Sequence, residues 1–368
     1  MRGTFIIAAL AVAVTLGLLV FIHESNRPAQ PVEPPAAANV TSAPSERTDR
    51  ALAQENNPLP PPSESKTNKP AATNIWARFA DGDIPKLTRE QVEPFLAKNH
   101  RSVEALLGAL RACGDEELLK EAKERFPNDP RVQFAAAFKS DSPGEQREWL
   151  EKFKASAPDN ALANYLLASG HFKSGETEQA LQEISAATAQ PVFENYLVDF
   201  IQNTEEAYRS GGYPIADAKA AAGMGALLPE LAQLKSAGVG LAELAKKYQQ
   251  AGDDASARAA LDLALTLGHR LDQTPQITLI QELVGIAIER IALNGMSPNA
   301  PYGQAGQTVQ DQIDALVARR KAMRALTSES APILMSLSDE DTVHYFDRSR
   351  MYGEVAALRW VMNKSPQP

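Results

Sequence analysis

From Ile75 to the C-terminus, alanine and leucine dominate and apolar residues return every three or four positions. That spacing follows the 3.6-residue period of the α-helix, and the alternation that marks strands is nearly missing. The fold class it predicts is all-α. Cap and turn residues cut the region into short helices. Thr88 with Gln91 is a capping box that opens a helix at about Arg89. Ser142-Pro143-Gly144-Glu145 sets a cap, a first-turn proline and an N3 glutamate in order. Thr274-Pro275 opens a helix that Asn294-Gly295 closes, and Ser338 with Asp341 opens another.

Ahead of this region stands the run Phe5–Ile22, uncharged, with Thr15 and Gly17 as its only non-apolar members. A helix that spans a bilayer needs about 20 residues, with a range of roughly 17–25. A cleaved signal would have a shorter apolar core ending at small residues, whereas this run ends in Val20-Phe21-Ile22-His23-Glu24. The expectation is an uncleaved transmembrane anchor over residues 1–23. Arg2 and the amino terminus favour a cytoplasmic N-terminus under the positive-inside rule. The rest of the chain would then be extracytoplasmic (periplasmic if bacterial).

Residues 24–75 hold ten of the 25 prolines and no aromatic residue. Such a composition buries too little apolar surface to offset its ordering entropy, which predicts a disordered linker. As a coil it would reach about 40 Å, and as polyproline II close to ~150 Å. Within it, Pro58-Leu59-Pro60-Pro61-Pro62 reads as a stiff spacer or as a docking peptide for an aromatic groove. The single cysteine, Cys113, excludes an internal disulfide and reads as a small buried residue.

Two stretches of the helical region are alike. In one, Leu167-Ala168 precede a turn at Gly175, and Ala180, Ile184 and Ala187 follow. In the other, Leu244-Ala245 and Tyr248 precede Gly252, and Ala257, Leu261 and Ala264 follow. These units resemble tetratricopeptide (TPR) repeats. Ala168 and Ala245 hold the small position of the first helix, and Ala180 and Ala257 that of the second. The family's tryptophan position carries Asn164 and Leu241, and His171 stands where Tyr248 keeps the family's tyrosine. Val103–Phe126 and Val132–Pro158 are weaker units, so the resemblance spans roughly 100–270. The two turn glycines lie 77 residues apart, which implies irregular repeats between Phe193 and Ala237. The resulting division is repeats over 76–270 and a C-terminal helical region over 271–368. In the latter, an apolar helix from about Pro275 to Asn294, with Gly285 for close approach, is wrapped by later helices.

The resemblance implies a concave face that binds a protein or peptide. The family's groove positions correspond to Tyr165, Ser169, Phe172 and Lys173 in one unit and to Lys246, Gln249 and Gln250 in the other. Lysines there suit a peptide with an acidic group. Enzyme signatures are missing: there is no phosphate-binding glycine loop, no nucleophile elbow and no zinc-binding histidine pair. Glu282 and Glu289 on the apolar helix read as salt-bridged or as an acid–base pair. Asp341 with His344 reads as an acidic first turn or as a metal site. A net charge of −9 argues against nucleic-acid binding despite Arg319-Arg320-Lys321 and Arg324. The expectation is a membrane-tethered, non-catalytic helical-repeat scaffold without cofactor or metal. The alternatives are an all-helical enzyme acting on an envelope polymer and a structural oligomerising spacer.

Overall fold

A computed structural model describes residues 75–76, 84–273 and 278–364. The expected anchor and all but the end of the expected linker lie outside the described residues. Among those described, no helix is long and apolar enough to cross a membrane. The described chain is all-α. Its first half runs α1 (Arg89–Lys98), α2 (Val103–Cys113), α3 (Glu117–Arg125), α4 (Pro130–Ala137), α5 (Pro143–Ser156), α6 (Ala161–Lys173) and α7 (Thr177–Ala189). It continues through α8 (Leu197–Ser210), α9 (Ile215–Met224), α10 (Glu230–Gln250) and α11 (Asp254–Asp272). The last helices are α12 (Leu279–Leu293), α13 (Val309–Leu334), α14 (Asp339–Tyr352) and α15 (Glu354–Lys364).

Most boundaries follow the cap residues. Thr88 and Gln91 make both bonds of a capping box at α1, and the Ser142 and Ser338 side chains accept from Glu145 and Asp341 backbone amides. Gly114, Gly175 and Gly252 turn between paired helices at φ of 76°, 75° and 77°, a region that costs a side chain Cβ strain. The exception is α12. Its cap is Thr278, which accepts from the Gln281 amide, so this helix begins later than Thr274-Pro275 suggested. Residues 274–277 lie outside the described segments.

Helix pairs stack side by side. α4 packs on α5, α5 on α6, and α6 on α7. α10 then lies directly against α6, with its partner α11 beside α7. Small residues set this spacing. Ala168, Ala180, Ala245 and Ala257 are all buried. At Gly240 an added Cβ would come within 2.6 Å of the Phe172 ring, so only glycine lets α10 approach α6 this closely. α12 lies on α10 and α11. Gly285 faces the Gly268 carbonyl of α11, 3.0 Å from where a Cβ would sit. The close approach read from Gly285 is therefore present.

The stretch between Phe193 and Ala237 is not another pair in the stack. α8 leaves it, folds back and packs on α1 and α2. Leu197, Phe200, Thr204, Ala207 and Tyr208 are buried at intervals of three and four residues and form one stripe, with Glu205 buried beside it. Phe200 stacks with Phe134 of α4 (centroids 6.3 Å), and the Arg111 guanidinium lies 4.2 Å from the Phe200 ring. Gly108 admits the backbone of Asn203, which would sit 2.7 Å from a Cβ there. This excursion explains the long interval between the two turn glycines: α8 and α9 are inserted, and the stack resumes at α10.

The C-terminal helices close the molecule. α13 packs on α12 and α15, α15 pairs with α14, and α14 reaches back to α9. Trp76 joins that seam. Its ring stacks on Phe346 (5.4 Å, interplanar 7°), and its Nε1 donates to Thr342 Oγ1 at 3.0 Å.

Candidate functional site

The seven groove positions separate into two groups. Tyr165 and Ser169 are fully buried, as is every residue from Ala161 to Ser169. They correct the groove assignment. α6 is covered by α5, α7 and α10, and Phe193 sits against Tyr165 at 6.1 Å. Both hydroxyls lack a hydrogen-bond partner among the described residues. Phe172 is half-buried against Gly240, whereas Lys173, Lys246, Gln249 and Gln250 are exposed. Gln249 Nε2 donates to the Gly295 carbonyl at 2.9 Å. What remains is a polar rim at the C-terminal ends of α6 and α10.

The carboxylates weighed for chemistry are held in packed pairs. Glu282 is buried and accepts from Arg319 Nε at 2.8 Å, while Arg319 also binds Asp272 at 2.8 Å. The Asp272 and Glu282 bonds raise the Arg319 pKa, so that guanidinium stays charged. Glu289 is 3% exposed and lies 3.2 Å from His269 Nε2. Its hydrogen bond raises the His269 pKa against the opposing effect of burial. The two acids thus point to separate partners.

The second candidate pair is also engaged elsewhere. Asp341 accepts from Lys364, and His344 lies edge-on to Trp360 at 6.3 Å. Among the described residues, no group of three or more histidine, cysteine or acidic side chains could hold a metal. Cys113 is half-buried, and burial pushes its thiol pKa up, which disfavours the reactive thiolate.

A buried ionic cluster escaped the sequence reading. Lys219, 6% exposed in the alanine-rich α9, donates to Glu205 of α8 at 3.2 Å and to Asp347 of α14 at 2.6 Å. Arg350 adds a bond to Asp347 at 3.0 Å. The lone lysine in IADAKAAAGM was the available signal, but its partners stand 14 and 128 residues away. Near Arg111, Glu230 is buried and accepts from Asn195 Nδ2 at 2.8 Å. Burial raises the Glu230 pKa and brings that of Arg111 down to about 10.

These features define an all-helical stack with an inserted hairpin. No family model, curated protein or solved structure matches the chain.

Proposed function

We propose that this chain is a membrane-tethered scaffold of TPR-like helical repeats that binds a protein or peptide partner outside the cytoplasm and performs no catalysis. The carrying observation is the direct packing of α10 on α6, which continues one helix pair onto the next and leaves a rim bearing Lys173, Lys246 and Gln250 exposed. Stacked helix pairs present extended surfaces of this kind. The partner chemistry that suits the rim is a segment with an acidic group.

The enzyme reading has less support. It needed Glu282 and Glu289 to converge on a cleft, and each is instead paired with a different base. An oligomerising role would need a free apolar surface, and the apolar α12 is instead covered by α10, α11 and α13.

The test is crosslinking of the tagged full-length chain in its native host, comparing wild type with the Lys173→Glu, Lys246→Glu double variant. A partner present with wild type and lost with the variant supports the rim. The same partner recovered equally from both rejects it.

A further inference from the structure

The hairpin of α14 and α15 has an outer face that the core does not use. His344, Arg348 and Tyr352 follow one another at one-turn spacing on α14, and all three are exposed. Ala356, Trp360 and Lys364 do the same on α15, with Trp360 half-buried. The two stripes meet at Trp360, which has the Arg348 guanidinium at 5.1 Å and the His344 ring at 6.3 Å; Lys364 of the same helix lies 4.8 Å from its ring. Tyr352 is 59% exposed, an unusual level for a large aromatic. Arg348 and the exposed Arg359 make no ion pair among the described residues. Lys364 is paired with Asp341 and His344 lies 3.9 Å from Glu340, so, among the described residues, the free cations beside the aromatic rings are Arg348 and Arg359.

We infer that this face docks an acid-flanked polyproline stretch, and that its occupant is this chain's own segment Glu55–Glu64. Proline-rich peptides bind aromatic-lined surfaces because their backbone is already ordered and loses little entropy. Pro58-Leu59-Pro60-Pro61-Pro62 supplies the rings, and Glu55 and Glu64 supply negative charge at its two ends. On docking, a proline ring takes the place of Arg348 over Trp360, and Arg348 and Arg359 turn to the flanking glutamates. An exposed cation–π contact is worth about 0.5–1 kcal/mol, so the exchange is inexpensive.

Chain length allows this. The sequence re-enters the fold at Ile75 and Trp76, and Trp76 is seated on the opposite face of the same helix, against Thr342 and Phe346. Residues 63–74 separate the prolines from that seat. They reach up to about 40 Å when extended, against a helix diameter of about 10–12 Å. Tethering at this length gives a local concentration in the millimolar range, so a weak site suffices. Docking would shorten the free tether and shield the face from other proline-rich ligands. The inference does not depend on the rim described above.

The test uses the full-length chain with Leu59→p-benzoylphenylalanine as a photocrosslinker and peptide mapping of the product. The expected product has the mass of one chain and joins position 59 to residues 344–364. Arg348→Glu combined with Arg359→Glu changes only exposed side chains. It should lower the yield about fivefold or more, a loss of roughly 1 kcal/mol. Trp360→Ala should do the same. Crosslinks to other parts of the chain, a product with the mass of two chains, or an unchanged yield in the arginine variant would each overturn the inference.

Discussion

Two seams hold this molecule together, and they use different physics. Where α10 meets α6 the contact is a matter of size: Gly240 receives Phe172, and alanines line the approach. Where α14 meets α9 a glycine again receives a ring, with Gly223 set against Phe346, but a buried ionic cluster is added. The first seam joins neighbours in a stack, where shape alone finds the register. The second brings together segments 128 residues apart. There Lys219 must find Glu205 and Asp347 together, which restricts the ways α14 can dock. Buried ion pairs add little net stability, but they penalise arrangements that leave a charge unpaired.

This contrast can be broken at its strongest point. Lys219→Met should destabilise the fold by about 3 kcal/mol, because buried Glu205 is left with only the longer 3.5 Å contact to Arg350. Urea unfolding would measure the loss, and hydrogen exchange should show α14 and α15 deprotected first. Early loss in α6 and α10 instead would mean that the ionic seam does not govern closure. Gly240→Val tests the other seam by pushing Phe172 away from α10. Overpacking of this kind should cost about 2 kcal/mol in the same assay.

A smaller effect sharpens the comparison at the helix ends. Ser338 caps α14 at the closing seam and Ser142 caps α5 in the stack. Each change to alanine should cost about 1 kcal/mol. Equal losses would indicate that both regions unfold in one cooperative step, whereas a much smaller loss at Ser338 would mark the seam as the first to open.

The smallest effect is one of pH. Glu289 raises the His269 pKa, so their pair stabilises the fold while the imidazole is charged. That contribution is complete below about pH 6.5 and fades as pH rises through the raised folded value. The His269 side chain is 46% exposed, so solvent screening holds the effect to under about 1 kcal/mol. Wild type should exceed His269→Gln in stability at mildly acid pH and converge with it in alkali. A gap that widens in alkali would contradict the assignment.

Several elements are legible in the sequence, for local reasons. Thr88, Ser142 and Ser338 cap helices because a side-chain oxygen can reach an amide three residues on. Gly175 and Gly252 turn because their backbone lies at positive φ. Gly285 marked a close helix contact, although not which helix it would meet. The groove positions fared differently. Lys173, Lys246 and Gln250 are exposed, but Tyr165 and Ser169 are core. The resemblance placed them on an open face, and burial depends on which neighbours cover α6 rather than on the residues of α6.

The sequence by itself determined the all-α class, most helix boundaries and the small residues that space the stack. Each of these is decided by residues within a turn or two of one another. Only the tertiary structure decided that α8 and α9 leave the stack, that α10 resumes it against α6, and that Lys219 is shared between α8 and α14. Those outcomes rest on contacts between residues distant in the chain. A helical stripe such as that of α8 states that a face will be buried, but the surface that buries it is set by the competition among all available partners.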